Sequence, residues 1–343
     1  MSYLVFKDGK TVSDYGRPYV IAEVNSSHNG NVDIAKQMID AAKEAGCDCV
    51  KFQSWSANTL YSRTYYDSNP IAKRFVEKLS LSSEQLKCLA DYCLEKDIGF
   101  SSTPYSELEV DFLVEECSVP FIKISSMEVN NPEFLRYIGY KQIPIVLSTG
   151  MAEMSEIKKA ISTIESTGNF QIALLHCVSV YPAEVSTINL NNIIGLRENY
   201  PQYPIGFSDH TLGDTASIAS VALGAAIIEK HLTLDSSKIG MDNQMAMEPH
   251  DLKLLVSKCR MTNLALGTKD RVVLPVEYEQ RQKMRRSIVA KHDMEIGYTI
   301  RKDDLDVKRP GTGISPEKIE QVIGHTVKKR IMADTMIDVC DLN

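Results

Sequence analysis

The sequence lacks the excess of basic residues that nucleic-acid-binding proteins use to neutralise phosphates. Its 343 residues include 38 Lys and Arg against 45 Asp and Glu, which gives a net charge of −7. The longest run of basic residues is Lys328-Lys329-Arg330. Because affinity for a phosphate backbone depends on such charges, we expect no nucleic-acid partner.

Long apolar runs are also absent. The longest, such as Val221–Ile228, are well short of the roughly 18 residues that a transmembrane helix needs. No basic region followed by an apolar core opens the chain, so the N-terminus does not resemble a secretory signal. We therefore expect a cytoplasmic protein with no membrane partner.

The eight cysteines include no C-x-x-C pair, and most lie within apolar runs. Since the cytosol keeps thiols reduced, this pattern does not favour a disulfide framework. Cys47 and Cys49 are two residues apart on a predicted strand. They could form a metal or redox pair, but core packing is the simpler interpretation.

What the sequence does contain is a regular alternation of strand-like and helix-like segments. Apolar runs rich in β-branched residues alternate with segments in which apolar residues recur at helical spacing. The strand-like runs are 19–23, 49–53, 100–103, 121–124, 143–148, 172–177, 205–208 and 226–231. A long loop is expected after the second strand, before a helix that begins at Ser82. Eight βα units predict a (β/α)₈ TIM barrel, an α/β fold; an open doubly wound sheet is the alternative, but no G-x-G-x-x-G follows the first strand.

The C-terminal part of the sequence, from Arg281 onward, lacks the regular alternation of strands and helices. Short strand-like pieces, Ser287–Ala290 and Tyr298–Ile300, are separated by turn signals rather than by helices. We predict a TIM barrel over residues 1–275, a charged linker over 276–286 and a small β-rich domain over 287–343.

The predicted strands end in polar residues, and in TIM barrels the carboxyl ends of the strands carry the active site. A packed barrel interior prefers branched apolar side chains, so charged groups there need a partner or a ligand. The candidates are Glu23, Lys51, Gln53, Thr103, Lys123, Ser126, Ser148, His176, Ser208, His210, Glu229 and His231.

Two histidines close consecutive strands of this set. His210 and His231 end the seventh and eighth strands, which are neighbours in a barrel, so both imidazoles could bind one divalent ion. Manganese, iron, cobalt and zinc all suit two histidines with open positions. A satisfied core histidine is the alternative, which we assign to His176 and His250 because they lack such a partner.

Two lysines and several hydroxyls form a second group of strand-end residues. Lys51 and Lys123 could hold a phosphate or carboxylate together with the hydroxyls of Thr103, Ser126, Ser148 and Ser208. The alternative is that the lysines form structural ion pairs with Glu23 and Glu229.

Several motifs resemble those of the sialic acid (N-acetylneuraminate) synthase family. They are E-V-N-S-S-H-N-G at 23–30, K-F-Q at 51–53, S-T-P at 102–104, L-S-T-G-M at 147–151, G-F-S-D-H-T at 206–211 and E-K-H-L at 229–232. The tail, with K-R-P-G at 308–311, resembles the antifreeze-like (SAF) domain of that family.

The resemblance implies a transferase that condenses phosphoenolpyruvate with an open-chain N-acyl mannosamine-type sugar and releases phosphate. It implies a divalent metal on His210 and His231, with manganese expected and magnesium or cobalt as alternatives. The implied roles of the other residues are phosphoenolpyruvate binding by Lys51, Thr103, Lys123, Ser126, Ser148 and Ser208, catalysis by Glu23 and Glu229, and sugar binding by Ser179, Tyr181, Asp242 and Arg309. A domain-swapped homodimer in which Arg309 acts on the partner's barrel is also implied.

The chain departs from the family pattern where the sugar is expected. Asn25 stands where a glycine is common, and Ser27 and Ser179 stand where asparagines are common. The segment 240–246 departs as well, so legionaminic or pseudaminic acid synthesis from a diamino-trideoxyhexose is an alternative. The residues alone also leave open a metal-dependent sugar aldolase or isomerase. Only Lys238 is basic between residues 236 and 247, which favours a sugar without a 6-phosphate.

Overall fold

Strands of two kinds make up the β-structure of the computed structural model, which describes residues 2–238 and 240–343. Eight form one parallel sheet, and four form two short antiparallel hairpins. In chain order they are β1 (Tyr3–Val5), β2 (Thr11–Ser13), β3 (Tyr19–Glu23), β4 (Cys49–Gln53), β5 (Gly99–Thr103), β6 (Ile122–Ile124), β7 (Ile145–Ser148), β8 (Ile172–Cys177), β9 (Ile205–Asp209), β10 (Ile227–His231), β11 (Ser287–Ala290) and β12 (Leu305–Lys308).

The parallel sheet is a nearly closed barrel, which confirms the predicted fold class. Its strand order is β5-β4-β3-β10-β9-β8-β7-β6. At the seam between β5 and β6, Ser101 Oγ donates a hydrogen bond of 3.1 Å to the carbonyl of Phe121. All eight strands lie within a few residues of the predicted runs.

Helices follow the barrel strands and cover the outside of the sheet. The helices are α1 (Val32–Ala45), α2 (Ala57–Leu60), α3 (Arg63–Ser68), α4 (Pro70–Leu79), α5 (Ser83–Glu95), α6 (Glu107–Glu115), α7 (Pro132–Tyr140), α8 (Met154–Glu165), α9 (Asn192–Asn199), α10 (Thr215–Ala222), α11 (Pro249–Leu266) and α12 (Pro275–Met284). Among the described residues, none of these helices has the length and apolarity required to cross a membrane.

Helix α1 shows how local sequence fixes these elements. The Asn31 side chain accepts hydrogen bonds from two backbone amides of the first turn, and Gly46 ends the helix with a φ of 85°. The apolar face, including Met38 and Ile39, is fully buried against the sheet.

Two segments of the barrel unit were not predicted. The long loop expected before Ser82 contains the three helices α2, α3 and α4, with Trp55, Val76 and Leu79 forming a small core of their own. The β1–β2 hairpin packs Phe6 on Phe121, with ring centroids 4.6 Å apart, and so covers the amino-terminal ends of the strands. The strands of the hairpin have three residues each, which is too short for hydrophobic periodicity to reveal them.

The chain divides into two compact units between Gly267 and Thr268. In the second unit, β11 matches the predicted strand, whereas Tyr298–Ile300 contributes only an isolated bridge from Thr299 to Thr326. The partner of β11 is β12, whose alternating charged residues concealed it in the sequence. Helix α12 occupies most of the predicted linker 276–286, and the predicted boundaries at 275 and 286 stay predictions.

Candidate active site

A cavity of about 260 Å³ opens at the carboxyl ends of the barrel strands. Most of the predicted site residues line it, although they come from six different strands and their following loops. The lining residues are Glu23, Lys123, Ser125, Ser126, Met127, Ser148, Met151, Cys177, Ser179, Tyr181, Ser208, His210, Glu229 and His231. The fold therefore brings ten of the predicted residues together, and their individual roles stay predictions.

Strand alternation explains which residues reach this cavity. Successive side chains of a strand point to opposite faces, so Glu229 and His231 of β10 point inward while Lys230 points outward. On β8 the same alternation directs Cys177 to the cavity and His176 to the helical layer, where its ring stacks on Phe207. Cys177 was not among the predicted site residues, although the strand register alone could have revealed it.

Two buried lysines and two buried glutamates form a charged network at the bottom of the cavity. Lys51 contacts the Glu23 carboxylate and lies 3.9 Å from Glu229, and Lys123 lies 3.6 Å from Glu229. Burial raises the pKa of Glu23 despite the nearby charge of Lys51. Burial would also raise the pKa of Glu229, but the charges of Lys123 and Lys51 outweigh it and hold that pKa below its usual value.

The pKa values of Lys51 and Lys123 are shifted in opposite directions. Burial tends to lower the pKa of Lys51, but the charges of Glu229 and Glu23 outweigh this and raise it above the usual value. At Lys123 burial dominates and lowers the pKa. Lys123 is therefore the less compensated of the two cations, and an anionic ligand would stabilise its charge.

Gln53 fixes the position of Glu23. The Gln53 Oε1 atom accepts hydrogen bonds from Trp55 Nε1 (3.0 Å) and from the Tyr105 hydroxyl (2.8 Å). Both donors lie at the oxygen end of the amide, so the nitrogen end must face Glu23, to whose Oε1 it donates at 3.1 Å. The backbone amide of Asn25 donates to the same carboxylate oxygen at 2.9 Å.

The hydroxyl groups of the site fall into two sets. Thr103 accepts a hydrogen bond from Lys51 at 3.1 Å, and Ser208 donates one to Glu229 at 3.0 Å. In contrast, the hydroxyls of Ser125 and Ser148 are buried and have no hydrogen-bond partner in the part of the chain that the structure describes. Buried polar groups without partners are uncommon, and such groups in a cavity lack the partner that a ligand would supply.

Ser126 is held by the backbone of a neighbouring loop. The amide of Gly150 donates a hydrogen bond of 2.9 Å to Ser126 Oγ. A Cβ atom at Gly150 would lie 2.3 Å from Ser179 Oγ and 2.9 Å from Ser126 Oγ. Only glycine therefore allows this loop to approach both serines.

The two candidate metal ligands lie side by side. The rings of His210 and His231 are 5.3 Å apart between centroids, at an angle of 70°. His210 Nδ1 lies 2.7 Å from the carbonyl of Val178, which can only accept, so Nδ1 carries a proton, and in the neutral ring the lone pair for a metal is on Nε2. Burial lowers the pKa of His231 well below its usual value, which favours the neutral imidazole that binds metals.

These features fit a divalent ion bound by two imidazoles, with oxygen ligands from substrate or water at the other positions. The Nδ1 of His231 lies 3.4 Å from Asp242 Oδ2, the kind of carboxylate contact that orients metal-binding histidines. Within residues 2–238 and 240–343, no group of three or more His, Cys, Asp or Glu side chains is arranged to hold a metal. Protein ligands alone would therefore leave the coordination shell open.

A second buried ion pair lies next to both histidines, on the face of β9 and β10 that points away from the cavity. Lys230 Nζ lies 3.0 Å from Asp209 Oδ2, and these residues immediately precede His231 and His210 in the sequence. Lys230 also donates to the carbonyl of Thr211 at 2.6 Å, and Ser217 donates to Asp209 at 2.6 Å. This network ties β9 to β10 at the level of the two imidazoles.

The predicted sugar-binding residues are distributed over both units. Tyr181 packs on His210 with ring centroids 4.2 Å apart and is half exposed at the cavity. Ser179 lines the cavity. Asp242 does not line it but lies 3.4 Å from Nδ1 of the lining residue His231. Arg309 is exposed on the second unit, directly after β12.

Comparison with known proteins agrees with this architecture. The model of the NeuB family matches residues 38–271, and the model of the SAF domain matches residues 285–339. The N,N'-diacetyllegionaminic acid synthase of Legionella pneumophila is 36% identical over 332 residues, covering 93% of each chain. The N-acetylneuraminate-9-phosphate synthase of Mus musculus is 35% identical, covering 93% of this chain and 91% of its own.

A solved structure is similar as well. The N-acetylneuraminic acid synthetase of Leptospira borgpetersenii, crystallised with citrate, superposes with a TM-score of 0.75 at 29% identity. The match covers 81% of this chain and 96% of that protein.

Proposed function

The chain belongs to the NeuB family and ends in a SAF domain, and from this we propose that it is a synthase that condenses phosphoenolpyruvate with an N-acyl mannosamine-type sugar. The product would be a sialic acid or a related nonulosonic acid, and phosphate would leave by carbon–oxygen cleavage. The observation that supports this most directly is that Lys123, the less compensated cation, lines one cavity with Ser125 and Ser148, whose buried hydroxyls have no hydrogen-bond partner among the described residues. Both lysines also pair with glutamates, Lys51 with Glu23 and Lys123 with Glu229.

We assign the binding of phosphoenolpyruvate to the lysines and hydroxyls of the cavity. Lys123, the less compensated cation, and Lys51 neutralise the phosphate and carboxylate charges. Ser148 donates its hydroxyl, which has no partner within residues 2–238 and 240–343. Thr103, Ser126 and Ser208 complete the set of donors.

A divalent metal held by His210 and His231 would supply Lewis-acid polarisation of the sugar aldehyde. The C3 carbon of phosphoenolpyruvate forms the new bond to the aldehyde carbon, and C2 becomes electron-poor. Water adds at C2, and the resulting tetrahedral intermediate expels phosphate to leave the 2-keto group. Glu23, whose pKa is raised by burial, accepts a proton of this water, and Glu229 orients the water. That proton passes to the oxygen of the former aldehyde, and the proton of the C2 hydroxyl leaves with the phosphate.

The sugar is proposed to carry no 6-phosphate. Lys238, the basic residue of the segment after β10, is exposed and lies 3.7 Å from Asp235, with which it pairs. A phosphorylated sugar would favour additional cations in this segment, and Lys238 is the only basic residue of 236–247. We therefore expect N-acetylmannosamine or a diacetamido-trideoxyhexose to be accepted in preference to N-acetylmannosamine 6-phosphate.

The test is a panel assay with phosphoenolpyruvate, Mn²⁺ and each of these sugars, followed by phosphate release and mass spectrometry of the product. Phosphoenolpyruvate labelled with ¹⁸O at the bridging position should transfer its label to phosphate, because carbon–oxygen cleavage keeps that oxygen on phosphorus. Ser148→Ala should raise the KM for phosphoenolpyruvate by about tenfold, as expected for one hydrogen bond to a charged ligand. If no sugar leads to consumption of phosphoenolpyruvate, the proposed function is wrong.

A further inference from the structure

The loops that follow the neighbouring parallel strands β3 and β10 are joined beside the candidate site. Ser27 Oγ donates a hydrogen bond of 2.7 Å to Asn243 Oδ1, and Asn25 Nδ2 donates to Asp242 Oδ2. Ser27 and Asn243 are both buried. The residues that make these contacts are more than 200 positions apart in the chain, so the contacts fix the 242–243 segment against the β3–α1 loop.

The orientation of the Asn25 amide follows from its partner. An ionised carboxylate can only accept hydrogen bonds, so the nitrogen end of the amide must face Asp242. The oxygen end, Oδ1, is then directed elsewhere, and it is buried without a hydrogen-bond donor among the described residues. Asn25 itself is 7% exposed.

The backbone of Asn25 connects this contact to the reacting groups. Its amide donates to Glu23 Oε1 at 2.9 Å, and Asp242 lies 3.4 Å from His231. Its φ of 44° lies in the left-handed region, which asparagine tolerates better than most side chains. Asn25 therefore lies between the candidate catalytic glutamate and the carboxylate beside the candidate metal ligands.

We propose that Asn25 is a specificity-determining residue for the sugar, its amide nitrogen holding Asp242 and its amide oxygen accepting a hydrogen bond from an N–H or O–H of the sugar. This inference rests on the proposed function, since it needs a sugar that extends from the cavity to Asn25, which contacts the lining residue Glu23 through its backbone amide. A substrate donor would satisfy the one amide atom that the protein leaves unpaired, whereas phosphoenolpyruvate, bound at the lysines, would be unaffected.

The variants that test this role are chosen to be compatible with the left-handed backbone conformation of Asn25. Asn25→Gly removes both amide contacts and keeps the left-handed conformation without strain. Asn25→Asp retains an acceptor oxygen but places a second carboxylate against Asp242, so it should separate the two loops by repulsion. Asn29→Gly is the matched control, because Asn29 has a φ of 53° in the same loop and donates only to the Ser27 carbonyl.

The measurement is the KM for the preferred sugar and the KM for phosphoenolpyruvate in each variant, with folding monitored by the fluorescence of Trp55, the single tryptophan. We expect Asn25→Gly and Asn25→Asp to raise the sugar KM by about tenfold or more, as for loss of hydrogen bonds that involve a charged group. The KM for phosphoenolpyruvate should stay within about twofold in both variants, and Asn29→Gly should resemble the wild type.

The outcomes separate this inference from the proposed function. A wild-type enzyme that consumes phosphoenolpyruvate with none of the sugars contradicts the proposed function. If the wild type is active but the Asn25 variants keep the wild-type KM for the sugar, the proposed role of Asn25 is wrong and the proposed function stands. The same holds if the KM for the sugar and the KM for phosphoenolpyruvate rise in parallel. A ratio of kcat/KM between N-acetylmannosamine and a diacetamido-trideoxyhexose that shifts in Asn25→Gly supports it.

Discussion

Individual side chains of this site are oriented by partners that can play only one role in a hydrogen bond. The carbonyl of Val178 can only accept and places the proton of His210 on Nδ1, and Trp55 Nε1 can only donate and so orients the amide of Gln53. Such one-way partners fix which atom of each side chain is left for a ligand or for Glu23. The site is therefore preorganised at the scale of the residue.

A prediction at this scale concerns the two candidate metal ligands. His231→Ala should abolish the binding of Mn²⁺ measured by titration in the absence of substrates, because it removes one of two imidazole ligands. His176→Ala is the matched control: this histidine is equally buried, but its Nε2 lies 2.6 Å from the carbonyl of Ile188. The control should lose stability and keep Mn²⁺ binding. Unchanged binding in His231→Ala would exclude His231 from the metal site.

At the scale of the element, β9 and β10 present different chemistry on their two faces. Ser208, His210, Glu229 and His231 face the cavity, whereas Asp209 and Lys230 form an ion pair on the opposite face. The ion pair is buried, and it is saturated by hydrogen bonds from Thr211 and Ser217. Side chains of β9 and β10 thus contact each other on both faces of the sheet, through Ser208 and Glu229 on one face and Asp209 and Lys230 on the other, and these contacts fix the register of the two strands.

Lys230→Met tests this arrangement. Removing one partner leaves Asp209 charged and buried, which should destabilise the barrel by about 3–5 kcal/mol. The free energy of unfolding is measured by urea titration followed through Trp55, which lies in the barrel unit and reports on that unit alone.

Lys258→Met is the matched control for this prediction. Lys258 pairs with Asp214 at 2.5 Å, but its side chain is 50% exposed, so the same substitution should cost less than about 1 kcal/mol. Equal losses in the two variants would show that the buried pair has no special role.

At the scale of the whole molecule, the candidate site has one predicted residue outside the barrel unit. Arg309 follows β12 of the second unit, and the resemblance to sialic acid synthases implies that it acts on the barrel of a partner chain. A domain-swapped homodimer is therefore our prediction, with a planar guanidinium presented to the sugar.

Mixing Arg309→Ala with Lys123→Ala tests this prediction. In a swapped dimer, a hybrid contains one barrel with its own Lys123 and an intact Arg309 from the partner, so part of the activity should return. If Arg309 acts within its own chain, every site of the hybrid lacks one residue. Absence of activity after subunit exchange has been verified would exclude the swapped arrangement.

The eight barrel strands and the residues that end them could be assigned from the amino-acid sequence. Periodicity and capping are local properties, so Tyr19–Glu23 and Cys49–Gln53 could be assigned without knowledge of their neighbours. Local signals also identified Lys123, His210 and His231 as candidates, because polar residues at buried strand ends are costly without a function.

Tertiary structure alone decided what depends on contacts between distant segments. Helices α2 and α4 pack around Trp55 in a small core of their own, and local sequence does not show which apolar residues will meet in such a core. The contact of Asn25 with Asp242 joins residues 217 positions apart. Local sequence cannot specify such a contact, because it forms only when the barrel brings β3 and β10 side by side.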